Sequence, residues 1–181
     1  MGLPSGPLDR QPSLAGDLLA LRPLRADDFE ALFRVASDPL IWAQHPDSDR
    51  YQEKVFRGFF EEALASGGAL VALDQTDGRI IGSSRYHAYD PEQSVVEIGW
   101  TFLARAYWGG RYNGELKRLM LEHAFRSVGR VIFIIGPENR RSQRAVEKIG
   151  AVRRGSTLDP RGRERVVYEL TPALYARREG S

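Results

Sequence analysis

Chemistry in this chain would begin at Trp108-Gly109-Gly110-Arg111-Tyr112, where paired glycines end an apolar strand and feed an amphipathic helix. Glycine tolerates backbone angles that other residues resist, so a tight turn is expected there. From Asn113, the expected N-cap, Leu116, Leu119, Met120, His123, Ala124 and Ser127 recur at helical spacing. Glu115, Lys117, Arg118, Glu122 and Arg126 are assigned to the other face. A turn of this kind presents free N–H groups at the positive end of a helix dipole, worth about 0.3–2 kcal/mol to an anion such as phosphate. A tight strand-to-helix connection with no ligand explains the same residues. Neither G-x-x-x-x-G-K-[ST] nor G-x-G-x-x-G occurs here, which disfavours a nucleotide triphosphate or a dinucleotide.

A second stretch, Gly136 to Gly155, carries the other candidate groups. Ser142, Ala145, Val146 and Ile149 fall on one helical face, and Arg141, Arg144 and Lys148 share another. Ser142 therefore points inward, unless its hydroxyl bonds back to the Glu138 carbonyl. Asn139 is well placed to cap that helix. Arg140, Arg153, Arg154, Arg161, Arg163 and Arg165 add to the positive charge of this third of the chain. Such a run is either a solvated face or, beside a phosphate-binding turn, a grip on a polyanion.

The elements that must hold these groups alternate strand and helix. Met1 to Gly16 is rich in Pro, Gly and Ser and reads as a flexible arm, leaving residues 17–181 as one domain. Strands are expected at Leu18–Leu24, Ala69–Leu73, Arg79–Ala88, Val95–Leu103, Val131–Ile135, Ala151–Leu158 and Arg163–Leu170. Helices are expected at Ala26–Ala36, Tyr51–Ala65, from Asn113 and over Arg140–Ile149, with a short frayed one at the C-terminus. The run Val131–Ile135 is continuously apolar and reads as covered on both faces. This is an α/β domain with a mixed sheet.

Composition narrows the function classes. A content of 42% hydrophobic and 28% charged residues is that of a globular domain. With no cysteine, disulfides, thiolate metal sites and cysteine nucleophiles are excluded, and a cytoplasmic setting is expected. No apolar run approaches a membrane span, no His/Asp/Glu cluster has metal spacing, and neither a membrane nor a metal is expected. A net charge of +2 does not argue for nucleic acid.

Three segments together resemble the GNAT superfamily of N-acetyltransferases, in its RimJ/RimL-like branch. They are LRPLRADDFEALFRVASDP near the start, VEIGWTFLARAYWGGRYNGELKRLMLEHAF, and N-x-x-S-x-x-A-x-x-K-x-G from Asn139 to Gly150. The resemblance implies a single domain whose mostly antiparallel sheet of about seven strands is splayed at its middle and flanked by about four helices. It implies acetyl-CoA as co-substrate, with its diphosphate on a turn formed by Trp108, Gly109, Gly110, Arg111, Tyr112, Asn113 and Gly114. It further implies pantetheine contacts from the backbone of Phe102 and Leu103 and from Asn139, and a ribose-phosphate contact from Arg144. The chain departs from the family's W-G-x-G-Y turn, because Arg111 stands at the second glycine.

The resemblance also assigns the reaction, direct acetyl transfer to a primary amine on a protein N-terminus or a small molecule. Freeing the lone pair of an aliphatic amine costs about 4.6 kcal/mol at pH 7, against about 1–1.4 for a protein α-amine. Glu97 matches the strand glutamate that serves some relatives as base, provided burial raises its pKa. Many relatives protonate the leaving thiolate with a tyrosine where this chain has Val146; Ser142 matches the hydroxyl of RimL-like members. Trp42, His45, Tyr86 and His87 are expected to line the acceptor site. Relatives are commonly homodimers. Two other readings stay open: a non-catalytic acyl-CoA sensor, and a basic nucleic-acid module, which lacks interleaved exposed aromatics.

Overall fold

The apolar runs at Val95–Leu103 (β5) and Arg130–Ile135 (β6) lie side by side in the computed structural model, which describes residues 6–179. They pair in parallel for three residues only, Val95–Glu97 against Arg130–Ile132, and no ladder joins them beyond that point. Every other strand pair is antiparallel. β1 (Leu14–Ala15), β2 (Leu19–Pro23), β3 (Ala69–Asp74) and β4 (Ile80–Asp90) extend the sheet on one side. β7 (Val152–Leu158) and β8 (Glu164–Leu170) close the other, in the order β1-β2-β3-β4-β5-β6-β8-β7. The sheet thus has eight strands rather than about seven, because the pairing of Leu14 and Ala15 with β2 leaves no periodic trace in so short a segment.

Six α-helices are present among the described residues: α1 (Phe29–Ala36), α2 (Pro39–Trp42), α3 (Glu53–Ala65), α4 (Arg111–Ala124), α5 (Arg140–Lys148) and α6 (Pro172–Glu179). About four were expected. α2 is a single turn that the sequence reading leaves as loop; Asp38 caps it by accepting from Leu40 N at 3.0 Å, and Pro39 supplies its first residue. α4 starts two residues before the expected cap, with Gly110 (φ 108°) at the N-cap position and Asn113 inside the first turn. Gly110 occupies a backbone region that a side chain would strain, so the helix begins where glycine allows it.

Two apolar layers cover the sheet. On the α4 side the buried cluster is mainly aliphatic, with Ile98, Leu116, Met120, Leu121 and Val131 fully enclosed. On the side of α1 to α3 it is aromatic: Phe29, Phe56, Phe59, Phe60, Trp42 and Phe102 meet at ring separations of 4.9–6.4 Å. β6 alternates, with Val131, Phe133 and Ile135 buried and Ile132 and Ile134 only partly so, so it is not covered on both faces as expected.

The segment read as a flexible arm is laid down where it is described. Leu8 is buried, Asp9 O lies 2.7 Å from His123 Nε2, and Leu14–Ala15 joins the sheet. Residues 1–5 of that arm lie outside the described residues. Glu115, expected to face outward, instead accepts the backbone N–H groups of Asp17, Leu18 and Leu19 at 2.7–3.0 Å. Among the described residues no helix is long and apolar enough to cross a membrane, and no cluster of side chains is suited to a metal ion.

Candidate active site

Where β5 and β6 part, a cleft of about 530 Å³ opens. Its walls are the length of β5 from Ile98 to Leu103 that no longer pairs with β6, and Phe133 to Gly136 on β6 and the loop after it. Trp108, Gly109, Gly110, Asn113 and Gly114 stand at one end, and Trp42, His45 and Arg50 at the other. Asn139, Ser142 and Arg144 of the α5 segment border the opening. Gly109 and Gly110 both have positive φ (104° and 108°) and are exposed, so the backbone ahead of α4 is accessible to an anion.

The turn is braced from both sides. Trp108 Nε1 donates to the Leu103 carbonyl at 2.9 Å, and the Arg141 guanidinium stacks on the Trp108 ring at 4.1 Å. Arg141 also donates to Ile41 O at 2.7 Å, while its backbone N–H reaches Gln44 Oε1 at 3.1 Å. Asn139 caps α5 through Ser142 N, 3.2 Å from its Oδ1. Ser142 is half-buried and faces the cleft.

Some expected residues lie elsewhere. Arg111 is exposed and Tyr112 packs edge-on against Tyr107 at 4.8 Å; neither lines the cleft. The Phe102 carbonyl is turned to β4, where any Cβ on Gly82 would collide with it, and the Phe102 ring packs in the aromatic cluster beside the cleft. Tyr86 is not an acceptor contact: it is fully buried on the α4 face, donating to Met120 O at 2.6 Å. Its neighbour His87 is exposed and packs against Trp100 at 4.9 Å, beside the cleft rather than in it. Alternation along β4 puts these two side chains on opposite faces, so they could not both line one site.

Burial sets the charges. Glu97 is 6% exposed, and burial pushes its carboxyl up to about 7 against the opposing pull of Arg85. It sits behind Gly99, a cleft residue, with Oε1 3.3 Å from where a Gly99 Cβ would stand. His45 Nδ1 lies 2.9 Å from the Asp47 N–H and Nε2 lies 3.2 Å from Arg50 Nη1, two donors that compete for the single lone pair of a neutral ring. Burial, with Arg50 adding to it, holds that imidazole down to about 3, so His45 is neutral and no proton acceptor at neutral pH. Arg85 is buried between the rings of Phe59 and Trp100, its guanidinium carbon 5.6 and 4.6 Å from their centroids. Trp100 itself holds φ 52°, a left-handed conformation costing about 1–3 kcal/mol outside glycine, and it lies beside a register shift between β4 and β5.

The family model described as Acetyltransferase (GNAT) domain matches residues 19–152, most of the chain. The chain belongs to the GNAT acetyltransferase family. This acetyltransferase is 34% identical over 150 residues to Uncharacterized protein YkkB of Bacillus subtilis (strain 168), covering 79% of the chain and 87% of the relative. It superposes on the GNAT-family acetyltransferase of Bacillus anthracis with a TM-score of 0.72 at 23% identity, covering 88% and 98% of the two chains. The fold is shared as well with spermidine N-acetyltransferase from Vibrio cholerae in complex with CoA and spermine (TM-score 0.68, 14% identity, 89% and 99% covered).

Sequence reasoning missed Arg50, Trp100, Thr101 and Lys117 in the acetyltransferase's cleft, and it put the last on the wrong face. Lys117, assigned to the outer face of α4, is 5% exposed and lines the cleft. Its Nζ donates to Thr101 Oγ1 at 2.8 Å and lies 5.3 Å from the Phe133 ring centroid. Burial alone brings its amine down to about 7. The signal was present: Lys117 stands three, four and seven residues before Met120, Leu121 and Ala124, all buried. Its side-chain type hid it.

Proposed function

We propose that this acetyltransferase moves an acetyl group from acetyl-CoA directly to a primary amine, a protein N-terminus or a small molecule, in the manner of the RimJ/RimL-like branch. The observation carrying this reading is the parting of β5 and β6 after Glu97, which leaves the β6-facing edge of β5 without a ladder partner along a cleft that ends at the glycine turn. An extended arm ending in a diphosphate matches both features: strand-like hydrogen bonding for the arm, helix-terminal amides for the phosphates. Gly109, Gly110, Asn113 and Gly114 hold the diphosphate, and Arg144 and the exposed Arg140 lie within reach of further phosphate. Acetyl-CoA supplies the activated thioester; the chain's own residues bind, orient and move the proton.

The acceptor enters at the aromatic end, between Trp42 and Trp100. Glu97, with a carboxyl near 7, is matched to taking the amine proton through a water beside Gly99. It thereby offsets much of the ~4.6 kcal/mol that an aliphatic amine needs and is less essential for an α-amine. Ser142 donates toward the departing thiolate. Arg85, buried, and Arg50, half-buried, put positive charge near this end, which disfavours a polycation and favours an acceptor with one amine. Arg154, Arg161, Arg163 and Arg165 are tied to Glu169, Asp47 and Asp159, so these four offer a nucleic acid little free charge.

Thiol release from acetyl-CoA across a panel of peptide N-termini, monoamines and spermine, with mass spectrometry of the products, tests the assignment. Turnover of peptides or monoamines ahead of spermine supports it. Binding of CoA without turnover of any amine makes the protein a sensor instead.

A further inference from the structure

Lys117 is an odd residue for the place it holds. Its ammonium would lie on the floor of the cleft, on the aliphatic side of the sheet, with one hydroxyl, Thr101 Oγ1, as hydrogen-bond partner and one ring, Phe133, as neighbour. No carboxylate pairs with it: Glu97 lies on the opposite face of β5, with the aromatic cluster, and Glu115 is engaged with the amides of residues 17–19. A charged lysine has three N–H groups to satisfy, and only one has a protein partner here. An enclosed site of this kind favours the neutral amine, and a neutral amine is a nucleophile.

The location gives that nucleophile a target. Lys117 stands about 9 Å along α4 from Arg111, taking 1.5 Å per residue. The cleft leads from the glycine turn past Lys117 and Thr101 toward Trp42, so an acyl donor anchored on the turn must thread over this amine. Resting on the acetyl-CoA reading above, we propose that Lys117 is a self-acetylation site, acylated by the protein's own bound donor when no acceptor amine occupies the cleft. In that step the Nζ lone pair forms a bond to the thioester carbonyl carbon and the C–S bond breaks. CoA leaves as thiolate and takes the surplus amine proton, giving N-acetyl-Lys117 and free CoA. The product amide no longer titrates and adds an acetyl group to the cleft floor, so the modified enzyme is slower: an unused donor switches its own enzyme down.

Selectivity follows from access. The chain's lysines are Lys54, Lys117 and Lys148. Lys54 is exposed outside the cleft and open to any acylating agent, Lys148 is exposed at the cleft's border, and Lys117 is reachable only from inside it. A solvated lysine is neutral in about one molecule in 2,500 at pH 7, while a group brought down to about 7 is neutral half the time.

The test incubates the full chain with acetyl-CoA and no amine, and follows acetylation at each lysine by peptide mass spectrometry. Acetyl should appear on Lys117 more than about tenfold faster than on Lys54, the lysine outside the cleft, since the neutral fraction is the reactive one. Excess CoA should suppress it, and the small donor acetyl phosphate should label the exposed lysines without that preference. Lys117→Arg should abolish the fast labelling while calorimetry still detects CoA binding. An enzyme that binds CoA and acetylates an added amine, yet leaves Lys117 unmodified or labels it regardless of excess CoA, overturns the proposal and leaves the acetyltransferase reading intact. Failure to bind CoA at all would instead sink that reading, and this proposal with it.

Discussion

The two faces of β5 solve opposite problems with the same physics. On the aromatic face Glu97 is an acid pushed up to about 7; on the aliphatic face Lys117 is a base brought down to about 7. Burial is the first cause of both shifts, because a poorly solvated site penalises whichever form carries charge. The neighbours differ. The aromatic face also holds Arg85, buried, and Arg50, half-buried, against ring planes that tolerate cations, so its charges have partial compensation. The aliphatic face offers Lys117 one hydroxyl and one ring. A site can hold an acid and a base both poised at neutral pH without pairing them, provided a strand separates them.

The sharpest way to break this contrast is Glu97→Gln, which should lower kcat for an aliphatic amine by about 10²–10⁴-fold, as expected for loss of a general base. The rising limb of the pH–rate profile near 7 should flatten, with a smaller loss for an α-amine; an unchanged limb removes Glu97 from proton transfer. Next comes Lys117→Met, expected to stabilise the fold by on the order of 2–4 kcal/mol below pH 7. Between about 7 and 10.5 the unfolded chain holds the Lys117 proton and the folded one does not, so wild-type stability rises with pH there and the variant's advantage fades. Glu97 has the opposite sign: from 4.5 to about 7 the folded state holds the extra proton, so stability falls as pH rises through that window. Urea unfolding of both variants across pH should therefore show gains of mirror-image dependence. Equal gains at all pH values would mean that lost packing, not charge, separates the faces.

Gly110→Val probes the turn that serves both faces. At φ 108° a β-branched residue should cost about 1–3 kcal/mol, read as a raised KM for acetyl-CoA and weaker CoA binding by calorimetry. The smallest expected effect belongs to Ser142→Ala: a fall in kcat of about tenfold with donor affinity nearly unchanged, as for loss of one donor acting on the leaving group. A change in affinity alone would make Ser142 a binding residue.

Much of this was legible in the residues. β5 was read with its observed ends, and α5 and the turn before α4 were found because glycine, asparagine and a 3.6-residue repeat leave clear marks. The joining of three segments into one cleft was visible only as a family resemblance. What escaped was set by tertiary context. Lys117 reads as an outward residue by type, although its spacing to Met120 and Leu121 places it inward. Tyr86 and His87 were both assigned to the acceptor site, but Ala88 turns the strand at φ 45° and alternation had already separated them. The length of β5 that no longer pairs with β6 has no local code, since a missing ladder is a property of two strands.

The bond between Glu115 and the amides of Asp17, Leu18 and Leu19 ties the leading coil of the long helix to a strand near the far border of the sheet. Whatever peels that border away, a nick in the chain ahead of Leu19 or a bulky fusion there, would slacken the phosphate grip from a distance. Loss of donor affinity would then be an early symptom of fraying, before the core itself gives way.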